Sequence, residues 1–194
     1  MASYYYLISS LPMLRTNAEP PLDYPAFLDM CKTSVSASAY RTLENLTVKS
    51  DKGSLLSEWA AFYQALTEEL NYQRNQKLGR PAAAPETRDA VVTEAVSAAL
   101  SAKNPLEAEQ ILLRLEFSRL DSMVGLHNFD DRVLYGYGMK LKLLERQRTF
   151  RYEDGKKTFQ GLLDHIVLPG GVLVVLLLIQ GLGRVQLAGE VAAV

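Results

Sequence analysis

The chain has 194 residues, of which 48% are hydrophobic and 22% charged, and its formal net charge is -1. This balance indicates a globular protein that can bury one core or two small lobes, without the cationic excess typical of nucleic-acid-binding proteins. One cysteine, Cys31, excludes an intramolecular disulfide, and no basic segment precedes the apolar residues after Met1. We therefore expect a reducing, cytoplasmic setting and no nucleic acid as partner.

The first fifty residues predict short elements separated by prolines. The aromatic run at 4–8 is compatible with a strand or with the first turn of a helix. A place in the core or at an interface is favoured over a base-stacking platform. Pro25 suits the first turn of a short helix that carries Phe27 and Cys31, and Cys31 is expected to be a small buried hydrophobe rather than a nucleophile. A further helix is predicted where Tyr40, Leu43 and Leu46 recur at helical spacing.

Apolar residues at helical spacing from 54 to about 78 predict one long amphipathic helix. Its outer, solvated face is expected to carry Glu58, Glu68, Glu69, Arg74 and Lys77. The stretch "GRPAAAP", 79–85, predicts a loop and is the candidate boundary between two lobes. The alanine-rich stretch that follows predicts a helix, and we expect its close-packing face to comprise Val91, Ala95 and Ala98.

The stretch "NPLEAEQ" predicts a well-specified helix start. Asn104 offers a side-chain acceptor to the free backbone N–H groups, Pro105 suits the first helical position, and Glu107 completes a variant of the capping box. The helix should run from 105 to about 124 and end at Gly125, and its two apolar stripes predict contacts on two sides. Glu107 and Glu109 point in different directions on a helix, so they are not expected to form a general acid/base pair.

A last clear helix is predicted from 131 to about 150. Asp130 is its expected N-cap, and this interpretation of "HNFDD" is favoured over a metal or proton-transfer role for His127. Gly136 and Gly138 inside it predict the close approach of a neighbouring backbone.

The chain divides into a helical domain at 1–165 and an apolar tail at 166–194. Residues 166–183 carry no charge across 18 positions, which reaches the lower length of a membrane span. Pro169, Gly170 and Gly171 interrupt that run, so a buried strand or a short core helix is favoured over a span.

No catalytic, cofactor or metal motif is recognisable, and we expect no enzyme, cofactor or metal site. One segment of the chain has a local excess of positive charge that is relevant to binding. Residues 140–157 contain seven basic and three acidic side chains. This end of the chain predicts a surface for an acidic partner or lipid headgroups, with a merely solvated surface as the alternative. The candidate partner-binding residues are Lys140, Lys142, Arg146, Arg148 and Arg151.

Three segments resemble a known family. "NPLEAEQILLRLEFSRL" (104–120) resembles the NPLE helix motif of the C-type subunit of V/A-type ATPases, which is the d-type subunit of the vacuolar enzyme. "YYYLISSLPMLR" (4–15) is similar to its N-terminal tyrosine signature, and "VLYGYGMKLKLLERQRTF" (133–150) to its aromatic helices that run into a charged turn. In its length and in these three segments, the chain is similar to a short bacterial family of uncharacterised function, which is encoded beside V-type ATPase genes.

The resemblance implies an all-α bundle of long amphipathic helices with short loops. It implies a non-catalytic subunit of an ion-transporting, for example proton-transporting, V/A-type ATPase, which couples the central rotor stalk to the membrane ring. Rotor-stalk and membrane-ring subunits would be its partners, and its location would be cytoplasmic and peripheral to the membrane. Asn104, Pro105, Glu107 and Glu109 match the motif and are expected to be architectural. Two alternatives stay open, a free-standing helical adaptor and a tail-anchored membrane protein.

Overall fold

A computed structural model describes residues 4–148, 155, 157–158 and 160–161. Contacts divide the chain into two units, Met1–Thr149 and Phe150–Val194. The described residues of the first unit form seven α-helices and no strand, which confirms the predicted all-α bundle. These helices are α1 (Tyr5–Ser10), α2 (Tyr24–Lys32), α3 (Ala37–Glu44), α4 (Ser54–Lys77), α5 (Ala90–Leu100), α6 (Pro105–Val124) and α7 (Asp131–Arg148).

Side-chain caps define the starts of the short helices. The Asp23 carboxylate accepts from Ala26 N at 2.9 Å at the start of α2, where Pro25 lies in the first turn as predicted. Ser36 Oγ accepts from Ala39 N at 3.2 Å at the start of α3. The aromatic opening forms the helix α1 and not a strand. Each cap accepts a hydrogen bond from a backbone N–H in the first turn, which has no acceptor within the helix.

The core lies between α4, α6 and α7, with α2 and α3 packed on α7 and with α5 packed between α4 and α6. Trp59 and Phe27 are its largest fully buried side chains. Cys31 is also fully buried, as predicted, and its burial raises the pKa of the thiol to about 11. The contacts of α6 with α5 on one side and α7 on the other agree with its two apolar stripes.

Residues 79–85 lie in the connection between α4 and α5. The helices on either side of this connection pack against each other. The predicted packing face of α5 is wrong at two of its three positions, because Val91 is 61% exposed and Ala98 is exposed as well, whereas Ala95 is half-buried against the core. The buried face is offset by one residue and comprises Val92, Val96 and Ala99. One position corresponds to a rotation of about 100° around the helix.

Gly136 and Gly138 do mark close contacts, but with side chains rather than with a backbone. A Cβ on Gly136 would lie 2.6 Å from Val124 Cγ2 of α6. A Cβ on Gly138 would lie 3.1 Å from Leu46 Cδ2 and 3.3 Å from a ring carbon of Phe27. The missing side chains let α7 lie directly against α6 and α2, which offsets the low helix propensity of glycine.

Among the described residues, no helix combines the length and the apolar composition that crossing a membrane requires. The uncharged run at 166–183, the whole tail at 166–194 and the boundary at 165 lie outside the described residues.

Candidate functional site

The C-terminal half of α7 carries most of the residues expected to bind a partner. Lys140, Lys142, Arg146 and Arg148 lie on this helix, whereas Arg151 lies outside the described residues. Three of the four have acidic partners within the first unit. We call this set of contacts the α7 cluster, and it comprises Lys140, Lys142, Glu145, Arg146 and their partners Asp121, Glu109, Glu116 and Tyr24.

Arg146 lies at the centre of the α7 cluster. Its Nη1 and Nη2 donate to the two carboxylate oxygens of Glu116 at 3.1 and 2.7 Å, and its Nε donates to Glu109 Oε1 at 2.9 Å. Glu116 is only 1% exposed. A bidentate pair with arginine is the geometry in which a buried carboxylate keeps its hydrogen bonds. The contact joins the end of α7 to two positions on one face of α6.

Burial and pairing act in opposite directions on these groups. Burial raises the pKa of the Glu116 carboxyl above its ordinary value, although the hydrogen bonds from Arg146 oppose that shift. Burial lowers the pKa of the Arg146 guanidinium, but its hydrogen bonds to Glu116 and the nearby Glu109 charge outweigh burial, so its pKa lies above the ordinary value. Arg146 therefore stays charged, and it is the group that makes a buried carboxylate tolerable here.

Lys142 and Glu145 connect α7 to the start of α2. Lys142 Nζ lies 3.6 Å from the centroid of the Tyr24 ring and 3.4 Å from Glu145 Oε2. Glu145 Oε1 accepts a hydrogen bond from Tyr24 N at 3.2 Å, and Tyr24 OH donates to Leu43 O at 2.6 Å. Burial raises the pKa of the Tyr24 hydroxyl. The tyrosine thus links α2, α3 and α7 through its backbone, its ring and its hydroxyl.

Lys140 and Arg132 connect the middle and the start of α7 to α6 and α4. Lys140 Nζ pairs with the carboxylate of Asp121 and lies 5.4 Å from the centroid of the Phe117 ring. Arg132 Nε donates to Met123 O at 2.8 Å, and its Nη2 pairs with Glu58 at 2.7 Å. The basic residues of α7 therefore act first as links between helices, and Arg148 is the exposed one among the described members of the predicted set.

The cap at the start of α6 has the expected geometry. Asn104 Oδ1 accepts from Glu107 N at 2.8 Å, and Pro105 is the first helical residue. Glu107 Oε2 reaches back to the backbone N–H of Lys103, at 3.1 Å, one residue before the N-cap. Glu109 points elsewhere, toward Arg146. The two carboxylates do not face each other, as expected from their spacing.

A second buried carboxylate lies between α4 and α5. Glu69 was expected on a solvated face, and this is wrong, since it is 3% exposed. Arg88 Nη2 and Nε donate to its two oxygens at 2.5 and 3.0 Å, and Gln73 Nε2 donates at 2.7 Å. The hydrogen bond from Arg88 holds the pKa of Glu69 below its ordinary value, against the effect of burial. Glu68 one position earlier is exposed and bonds Gln64.

His127 pairs with the Asp130 carboxylate at the entrance to α7. The other Asp130 oxygen accepts from Arg132 N at 3.2 Å and from Val133 N at 3.4 Å, so Asp130 caps the helix as predicted. Within the described ranges, no group of three or more histidine, cysteine or carboxylate side chains is placed to hold a metal ion.

Sequence reasoning missed both buried carboxylates, although one signal for Glu116 exists. Glu109 and Glu116 are seven residues apart, which is two helical turns, so they lie on one face of α6. Glu116 also interrupts the apolar run that ends at Phe117 and Leu120. An acidic residue inside an apolar stripe predicts a buried pair with a cation from a neighbouring helix.

No family model matches this chain, and neither a curated protein nor a solved structure matches it at a significant level.

Proposed function

We propose that this chain is a non-catalytic helical subunit of a V/A-type ATPase that couples the central rotor stalk to the membrane ring. The observation that carries the proposal is the meeting of the family-like segments 4–15 and 104–120 with the described part of the third, 133–148, in the first unit. Tyr137 OH, in the third segment, donates to Pro12 O, in the first, at 2.9 Å. Arg146 joins the third segment to the second.

A coupling subunit must transmit force without its helices sliding past each other. The α7 cluster supports this role because the two-point contact of Arg146 with Glu116 forms in the observed register of α6 and α7. A shift of one turn, about 5.4 Å, would separate Arg146 from Glu116 and break the two-point contact. The Arg132 contacts with α6 and α4 add a second link at the opposite end of α7.

In this proposal, ATP hydrolysis and ion translocation belong to the partner subunits. The chain would reach the membrane through the membrane ring, which makes it a peripheral, cytoplasmic component. Among the predicted docking residues that the structure describes, Arg148 is the exposed one, so it is the first place to test for a partner contact.

The test is a coupling measurement on inverted membrane vesicles from cells with and without the chain. A potential-sensitive dye reports pumping of any charged ion, and phosphate release reports hydrolysis. Without the chain, we expect ATP hydrolysis to continue and ATP-driven charging of the vesicles to be lost. Re-expression of the full chain should restore charging. Unchanged pumping without the chain would contradict the proposal and leave the free-standing adaptor as the better explanation.

Tail anchoring is distinguished by fractionation in a host that lacks the ATPase. The coupling proposal predicts that the full chain and a version ending at His165 both leave the membranes in a mild salt wash. An anchored protein would stay with the membranes only when residues 166–194 are present.

A further inference from the structure

A cavity of about 500 Å³ lies between the C-terminal part of α3 and the start of α4. Its basic lining residues are Arg41, Lys49 and Lys52, and its one acidic residue is Asp51. Within the described part of the chain, these three cations make no ion pair. They differ in this from Arg88, Arg132 and the basic residues of the α7 cluster, which are neutralised by carboxylates.

The loop that carries two of these cations is held in place by the core. Trp59, which is fully buried, donates its indole N–H to Val48 O at 2.8 Å. Thr47 N donates to Ser50 Oγ at 3.0 Å, and Ser50 N donates to Thr47 O at 3.0 Å. The rim of the cavity at 47–50 is therefore a hydrogen-bonded turn, and the bond from Trp59 to Val48 holds this turn against the core. Such a turn reduces the ordering cost of binding a ligand.

We propose that this cavity binds a small polyanion that carries phosphate groups. Its three cations and one carboxylate leave an excess of two positive charges at the cavity, which complements a phosphate or diphosphate group. The hydroxyl groups of Thr47 and Ser50 line the same cavity and supply further hydrogen-bond partners. The inference is independent of the coupling role, since the cavity lies on α3 and α4 and not at the α7 cluster.

The cavity volume of about 500 Å³ favours a small ligand over a nucleic acid. A nucleic acid is bound along a continuous basic stripe, whereas the net charge of this chain is -1. The same phosphate chemistry can come from a soluble metabolite or from the headgroup of a phosphoinositide lipid, and the experiment separates these two sources.

The test is calorimetric titration of the full chain with inorganic pyrophosphate at low ionic strength. A triple variant, Arg41→Gln, Lys49→Gln and Lys52→Gln, should raise the Kd about tenfold or more, because it removes the charges that attract the anion. The matched control is Lys32→Gln, Arg80→Gln and Lys103→Gln. It removes the same one arginine and two lysines at exposed positions outside the cavity, so its Kd should stay within about twofold of the wild-type value. Circular dichroism verifies that both variants are folded.

Vesicles separate the two sources of phosphate. Co-sedimentation with phosphatidylcholine vesicles that contain a phosphoinositide, lost in the cavity variant only, would support a lipid headgroup. Binding of pyrophosphate without binding of these vesicles would support a soluble polyanion. The proposal is overturned if neither probe binds, or if the control variant weakens binding as much as the cavity variant does.

Discussion

Two glutamates, Glu69 and Glu116, lie in the interior of the first unit, and an arginine pairs with each. Burying a carboxylate costs several kcal/mol of desolvation, and the ion pair offsets that cost only while the arginine is present. The two pairs therefore add little to the net stability. Their main effect is to specify which segments of the chain must lie together. Glu69 joins α4 to Arg88, two residues before α5, and Glu116 joins α6 to α7.

Removing Arg146 should be costly because it leaves the Glu116 carboxyl buried without its charged hydrogen-bond partner. We expect Arg146→Met to lower the free energy of unfolding by about 3 kcal/mol. Adding Glu116→Gln should recover part of that loss, since a neutral amide is cheaper to bury than an unpaired carboxylate. Urea unfolding of the single and double variants measures both effects, and Arg114→Met on the exposed side of α6 is the control. A loss that grows when Glu116→Gln is added would contradict this interpretation.

The two glutamates should respond to pH with opposite signs. The folded pKa of Glu69 lies below its unfolded value of about 4.3, so its stabilisation is present above that value and is lost as the pH falls. The folded pKa of Glu116 lies above its unfolded value. Its contribution is therefore fully present below about 4.3 and is lost as the pH rises through the folded pKa.

Urea unfolding of Glu69→Gln and Glu116→Gln across the acidic range tests these signs. On acidification, the advantage of the wild type over Glu69→Gln should shrink, whereas its advantage over Glu116→Gln should grow. If both differences move in the same direction, the assigned environments are wrong.

Among the helices, α7 depends on two glycines that let it approach its neighbours. Gly136→Ala would gain about 1 kcal/mol of helix propensity. However, the new Cβ would lie 2.6 Å from Val124 Cγ2, and a β-branched side chain cannot rotate away easily. We expect a net loss of about 1 kcal/mol or more in the free energy of unfolding. In the double variant with Val124→Ala, the clash is absent and Gly136→Ala should become neutral or stabilising; a loss of the same size in both backgrounds would argue against the contact.

The starts and ends of the helices were predictable because capping is local. Asn104, Glu107 and Gly125 act within a few residues, and the structure has α6 between them. The buried face of α5 was missed although the sequence carries a signal for it. Glu94, Ser97 and Ser101 recur at helical spacing on the side opposite Val92, Val96 and Ala99. Glu69 was missed for a different reason. Its burial depends on Arg88, which is 19 positions away, and no short-range pattern reports that partner.

The position of the basic segment was predictable from the sequence. Which of its side chains are neutralised by carboxylates was not. The sequence places a basic segment at 140–157, yet α7 directs Lys140, Lys142 and Arg146 toward carboxylates of α6 and of its own turns. Tertiary packing decides which charges face solvent, and a linear count of charges does not include it. Arg148 is the described residue through which the predicted partner contact can be tested without breaking the fold.

The molecule as a whole is proposed to act as a stiff helical unit whose partners carry out the chemistry. The buried pairs resist sliding of the helices, and the segments that resemble the ATPase family lie together in that unit. Stiffness alone does not identify a partner. Charge reversal at Arg148 should weaken docking to an acidic surface, whereas Arg114→Glu, an exposed reversal on α6, should not.

The most direct measurement is a pull-down of the tagged full chain from native membranes in mild detergent, with mass spectrometry of the eluate. We predict rotor-stalk and membrane-ring subunits of a V/A-type ATPase in the eluates of the wild type and of Arg114→Glu. Their amounts should fall in the eluate of Arg148→Glu. An eluate that contains the folded chain without any ATPase subunit would contradict the proposed coupling role.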